Sequence, residues 1–207
     1  FWVCAVQLLF ESTRMKSPAA LILLALFAGS ALANEAKPAT FKADTVYVID
    51  KPGAAQTVVQ AILPVNDRSQ PDWHALSLAN TMFGGAITAR DNMNLREEKG
   101  WTYGARCGLD DGIGPTVWAC STNVQTDKTV PALLELRREL TEALSTRPFT
   151  PDELTFFRGY RTNALYGRYE TPSALLGELL DIWTYKLPAD WIDRTIPALQ
   201  AVDLPTA

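Results

Sequence analysis

Two runs, WTYGARCGL at residues 101–109 and TVWACSTNV at 116–124, place apolar residues at alternate positions with small or polar ones between, and the residues separating them are DDGIGP. Alternation is the pattern of a strand with one face on a core, and an Asp/Gly/Pro spacer is turn chemistry, so the pair reads as a β-hairpin. A turn centred between Ile113 and Gly114 sets Leu109 opposite Trp118, Cys107 opposite Cys120 and Tyr103 opposite Val124, all on the apolar face. A slip of one residue would move the whole set to the other side of the sheet, so this register constrains the fold more than any other feature. The sheet it belongs to needs a layer to cover that face.

The covering layer is visible in the periodicity. TVYVID (45–50) and AQTVVQAILPV (55–65) are β-branched runs parted by the turn Lys51-Pro52-Gly53, and read as two further strands of one sheet. Pro71 and Asp72 open a helix carrying Ala75, Leu76, Ala79, Met82 and Phe83, which Gly84-Gly85 ends. A shorter helix spans roughly 87–99 with Gly100 as its stop, so NLREEKG is a helix end and WTYGA a strand start. Val130 to Leu144 reads as an amphipathic helix with Val130, Leu133, Leu134, Leu140 and Leu144 inward. Thr150-Pro151-Asp152-Glu153 is a capping box that starts a helix running to about Arg168. Thr171-Pro172 opens another through Tyr185, with Leu175, Leu176, Leu179, Leu180 and Trp183 as its stripe, and the last covers Trp191 to Ala201. The order β-β-α-α-β-β-α-α-α-α predicts an α+β fold, a mainly antiparallel sheet with helices packed on it.

Residues 15–33, MKSPAALILLALFAGSALA, combine a lysine, an apolar run of about ten residues and a small-x-small pattern, the arrangement of a secretory signal peptide. The run is too short for a bilayer of roughly 30 Å, so no membrane span is expected in the mature chain. Residues 1–14 precede this plausible start and read as upstream sequence translated in error, and 34–44 as a polar linker. An exported, periplasmic or secreted, location follows. It permits a disulfide between Cys107 and Cys120, for which the alternative is two small buried hydrophobes.

The chemistry is bounded by what is missing. A net charge of −4 with no Lys/Arg-rich run excludes a nucleic-acid footprint. With His74 as the only histidine, neither an HxxEH zinc motif nor a Ser-His-Asp triad offers an alternative pairing, and a lone helical histidine reads as surface or packing. No metal site, cofactor or self-sufficient catalytic group emerges from the residues.

FGGAITARDNMNLREEKGWTYGA, with VYVIDKPGAAQT before it and TPDELTFFRGYRTNALYGRYETPSALLGEL after it, closely resembles the C-terminal, non-zinc domain of the pitrilysin/insulinase family of zinc metallopeptidases. The resemblance covers roughly residues 45–200. It implies one of several homologous α+β domains that close around an unfolded peptide, with zinc held by HxxEH in a partner domain or subunit. It also implies an arginine and a tyrosine seven residues apart that bind substrate, a spacing met by Arg96 and Tyr103. A guanidinium can donate a fork of hydrogen bonds to a peptide carbonyl, and a phenol can stabilise a developing oxyanion. The bland alternative pairs Arg96 with Glu97 or Asp91 at the surface and buries Tyr103.

Residues 15–33 stand where the family's zinc-bearing domain would precede, and family domains continue beyond Leu204. The expectation is therefore a domain over 45–207, shortened at its C-terminal end, inactive alone and needing a zinc-bearing partner to act on peptides. A structural or assembly module, or a gene fragment, are the other readings.

Overall fold

The computed structural model describes residues 5–9, 45–110 and 116–205. The expected signal peptide, the linker, Cys4 and the hairpin turn at 111–115 lie outside the described residues. Five strands make one sheet in the order β2-β1-β3-β5-β4, where β1 is Ala5–Leu9, β2 Tyr47–Val48, β3 Gln56–Val65, β4 Thr102–Asp110 and β5 Thr116–Gln125. Its ladders are antiparallel except that of β1 with β3, which is parallel. The strands flanking the Lys51-Pro52-Gly53 turn do share a sheet, and Gly53 takes the positive φ of 76° that this turn requires. They are not neighbours, because β1, from the segment read as a leader, lies between them.

Among the described residues, six helices follow from the capping and periodicity. α1 is Trp73–Asn80, continued by a π-helical turn Thr81–Gly85; α2 is Arg90–Asn92, continued by a second π-helical segment Met93–Glu98. α3 is Thr129–Ala143, α4 Pro151–Arg168, α5 Pro172–Thr184 and α6 Trp191–Ala201. The chain is thus α+β, as its pattern predicts. The capping box is present in full: the Glu153 backbone N–H donates to Thr150 Oγ1 at 3.2 Å and the Thr150 N–H to Glu153 Oε2 at 2.8 Å.

One face of the sheet meets α3. Val59 and Ala61 of β3, Trp118, Cys120 and Val124 of β5 and Cys107 of β4 bury against Phe83, Ala132 and Leu136. Each large side chain fully buried in this way stabilises the fold by roughly 1.5–3 kcal/mol. A second cluster joins α1, α4 and α6 through Leu78, Met82, Leu154, Phe157, Leu165 and Leu199. The two are stitched together where Trp118 Nε1 donates to Asn80 Oδ1 at 2.9 Å.

Two helical faces differ from the sequence reading. On α3 the buried residues are Ala132, Leu136 and Glu139, with Leu133 and Leu140 packed beside them, while Val130, Leu134 and Leu144 are exposed. The phase was set by large apolar residues alone; a small alanine and an ion-paired glutamate hold the true inner face. On α5 the stripe Leu175, Leu176, Leu179, Leu180 and Trp183 is exposed, and Glu178 is the buried residue, paired to Arg168 at 3.1 Å.

Candidate functional site

The NLREEKG segment is held from three sides before it delivers any side chain to solvent. At its start, Arg90 lays Nε and Nη2 on the two carboxylate oxygens of Glu153, each at 2.6 Å, and Nη2 also donates to Pro148 O at 2.9 Å. Nη1 donates to Arg147 O, and the guanidinium stacks 4.8 Å from the Phe149 ring centre. Although burial alone would raise it, the Glu153 pKa is lowered by the Arg90 and Thr150 hydrogen bonds.

In the middle, Leu95 is fully buried, and Asn94 Nδ2 donates to Glu135 Oε1 at 2.8 Å and Glu139 Oε1 at 2.7 Å on α3. Those carboxylates are neutralised by Arg138, which lies 2.5 Å from Glu135 and 2.9 Å from Glu139, and by Arg147 at 3.1 Å from Glu139. The hydrogen bond from Arg138 is the main cause of the Glu135 carboxyl falling to about 2. At the end, Gly100 at φ 63° lets the chain leave the helix, its N–H bonding Arg96 O at 3.1 Å and that of Trp101 bonding Leu95 O at 3.1 Å.

The expected hairpin register holds from Ala105 to Asp110, with Cys107 opposite Cys120 and Leu109 opposite Trp118. It breaks between Thr102 and Ala105: Thr102, not Tyr103, is opposite Val124. Tyr103 is 94 % exposed, so its expected place on the apolar face is corrected by a β-bulge that strict alternation does not reveal. The bulge is stabilised locally, because Thr102 Oγ1 bonds the Gly104 N–H and C=O at 3.1 and 3.0 Å. Asn92 takes the released Ala105 N–H on its Oδ1 at 3.0 Å and donates from Nδ2 to Ile87 O at 2.6 Å. Asn92 was missed in the sequence; a poor helix former inside a helical run was its one signal.

Between β4, the outermost strand, and residues 84–87 lies a groove of about 170 Å³. Arg96 and Tyr103 both line it, as do Asn92 and Arg106. Arg96 keeps 43 % of its side chain exposed and sits 3.4 Å from Glu97, a loose surface pair that leaves the guanidinium free to turn. The structure thus brings the two sequence-selected residues to one opening and adds Arg106, which the spacing did not flag.

Beneath the groove, Cys107 and Cys120 bring their sulfurs into bonding contact across β4 and β5. Asp91 Oδ2 is 3.8 Å from Cys107 Sγ, and Asp91 is 1 % exposed. Burial, reinforced by the charge of Glu139, pushes its pKa up to about 7. These three residues are the one close grouping of sulfur and acidic side chains among the described residues, and with the two sulfurs bonded to each other it offers no thiolate to a metal. The groove wall itself carries no histidine or carboxylate, so it does not fit a catalytic zinc. His74 stacks on Trp191 with ring centres 5.0 Å apart, and burial followed by the charge of Arg161 lowers its pKa, which makes it a neutral packing group.

The profile of the peptidase M16 inactive domain matches residues 23–156, well over half of the chain. Similar folds include a peptidase M16 inactive domain from Pseudomonas fluorescens, at 21 % identity and a TM-score of 0.68, over 74 % of this chain and 36 % of that one. The inactive peptidase domain of a candidate zinc protease from Bordetella parapertussis is 21 % identical with a TM-score of 0.65, covering 76 % of this chain and 85 % of that one. The periplasmic protease PqqL from Escherichia coli is 15 % identical with a TM-score of 0.59, over 74 % of this chain and 17 % of PqqL. This chain therefore spans only about a third of the first of these proteins and a smaller share of PqqL. No curated protein sequence matched.

Proposed function

The chain belongs to the peptidase M16 family as one of its inactive domains, and from that premise we propose that it grips peptide substrate for a zinc-bearing partner. In this reading Arg96 and Tyr103 contact the peptide, and an HxxEH-bearing domain or subunit holds the zinc that activates water for hydrolysis. The observation that carries it is the common groove: residues seven apart in sequence open into one cleft, one with a flexible guanidinium and the other with a phenol almost wholly exposed. The cleft runs beside the outermost strand, where an extended peptide can add its backbone to the sheet edge while side groups fix its position.

Arg96 would bind a peptide carbonyl, and Tyr103 would donate to the oxygen that gains charge as the carbonyl is attacked. Export is part of the proposal. It is supported by the signal-like segment at 15–33 and by the periplasmic location of PqqL, and among the described residues no helix is long and apolar enough to cross a membrane.

The test is peptide hydrolysis by the chain alone and mixed with an HxxEH-bearing M16 protein from the same source, with Tyr103→Phe and Arg96→Ala alongside. Activity that appears only in the mixture and falls in both variants is expected. A second reading, an assembly module without a part in hydrolysis, is favoured by the exposed stripe on α5. Complex formation with no hydrolysis, lost on Trp183→Ser but kept in Tyr103→Phe, would select it.

A further inference from the structure

We propose that the floor of the groove is a thiol–disulfide exchange site, in which Cys107 accepts an incoming thiol, Cys120 is the leaving sulfur, and Asp91 is the internal proton donor. The ligand is a low-molecular-weight thiol or a cysteine-bearing peptide. The inference does not depend on the peptide-gripping reading, and its readout is separate from hydrolysis.

The geometry assigns each role. Cys107 lines the groove, whereas Cys120 is fully buried behind it, so a thiol arriving from solvent meets Cys107 first. Gly84 packs directly on Cys107 Sγ, where an added Cβ would overlap the sulfur, so a thiol reaches Cys107 from the part of the groove lined by Gly104 and Arg106 instead. Behind the sulfurs, the ligating atoms of Asp91, Cys107 and Cys120 all lie within 4.8 Å of one another. Asp91 Oδ2 faces Cys107, and Oδ1 has no hydrogen-bond partner among the described residues, although the group is buried. A carboxyl left unsatisfied in the core is costly, and its position beside two sulfurs gives it a use.

The chemistry balances without a further cofactor. A thiolate attacks Cys107 Sγ, the new S–S bond forms as Cys107–Cys120 breaks, and the electron pair moves to Cys120 Sγ. Asp91 passes its proton to that thiolate and becomes a carboxylate. A second thiolate attacks the mixed disulfide, releasing the oxidised external disulfide and Cys107 as a thiol after protonation from water. Two external thiols are oxidised and the protein pair is reduced.

The charged surroundings of Asp91 support proton donation at neutral pH. Glu139 on α3 faces it and disfavours its ionisation, and that glutamate's own charge is held by Arg138 and Arg147. Arg90, its neighbour in sequence, turns away to Glu153. The two cysteines lie beside it on β4 and β5, the charge of Glu139 acts on it, and the Thr81–Gly85 turn has no titratable side chain.

The experiment uses the full chain with Cys4→Ser throughout, so that Cys107 and Cys120 are the remaining cysteines. The folded, oxidised protein is exposed to dithiothreitol, quenched with an alkylating agent and weighed by mass spectrometry. The pair should be reduced without unfolding. The rate per dithiothreitol thiolate should fall about tenfold from pH 6 to pH 8, as a donor titrating near neutrality loses its proton, and Asp91→Asn should abolish that fall.

Reduction only after unfolding, or a wild-type profile equal to that of Asp91→Asn, overturns the proposal. A second pair covers the case in which Asp91→Asn does not fold. Cys120→Ser should form a mixed disulfide with oxidised glutathione at Cys107, and Cys107→Ser should leave Cys120 unlabelled in the folded chain. The opposite labelling, or none in either variant, also overturns it.

Discussion

Replacing Gly84 with alanine tests the tightest contact at any described glycine, that of the Thr81–Gly85 turn with β4. The added methyl would fall on Cys107 Sγ, 2.9 Å from Cys107 Cβ and 3.2 Å from its backbone nitrogen. The sulfur is tethered to β5 and the backbone is fixed by the β4–β5 ladder, so neither neighbour can withdraw far. Overpacking of this kind costs about 1–3 kcal/mol, and the fixed backbone argues for the upper end. Alanine regains about 1 kcal/mol by restricting the unfolded chain, which leaves a net loss of about 2 kcal/mol. For a domain of this size that lowers Tm by roughly 4–8 °C. Gly108→Ala is the internal control: it lies on β4 itself, with nothing within 4 Å of the added methyl, and should leave stability within about 0.5 kcal/mol of the parent. Calorimetry of both variants decides the matter. Equal Tm values would mean that the turn does not pack on β4 as described, and the account of the groove floor would fall with it.

Arg90→Lys keeps the charge but loses the two-pronged contact with Glu153 and the carbonyl bonds, so chemical denaturation should show a loss of about 2 kcal/mol; an unchanged midpoint would refute the clamp. Asp91 contributes pH dependence of a definite sign. Its folded pKa stands above the ordinary 3.8, so its stabilisation is complete below that value and is lost as the pH rises to about 7. At full effect this is at most about 4 kcal/mol, and Asp91→Asn should flatten the urea midpoints between pH 4 and pH 7 relative to the parent. Tyr103→Phe and Arg96→Ala alter exposed groups and should leave Tm within about 1 °C, while titration with an extended peptide should show weakened binding; a large Tm change would mean that these side chains serve the fold instead.

Local chemistry made much of the fold legible. The capping box at Thr150 and Glu153, the glycine stops at 84–85 and 100, the β-branched run of β3 and the alternation on β5 are properties of neighbouring residues, and each appears where its pattern placed it. The faces of α3 and α5 were not legible, because hydrophobicity shows that a stripe exists without showing what will stand against it. Glu139 lies inside on α3 because Asn94, from a distant segment, meets it there beside Arg138 on α3 and Arg147 just past its end.

By itself the sequence determined the α+β class and the opposition of Cys107 and Cys120, while Arg96 and Tyr103 came from the resemblance alone. Tertiary structure alone decided which way Tyr103 points. The alternation of WTYGARCGL puts it in the core, but one extra residue between Thr102 and Ala105 turns it outward, and that residue is tolerated because Asn92, from a different element, accepts the hydrogen bond the strand pairing gives up. A periodic pattern encodes the regular part of a strand; a bulge depends on a distant partner for the freed N–H, and no spacing within the strand records where that partner will be.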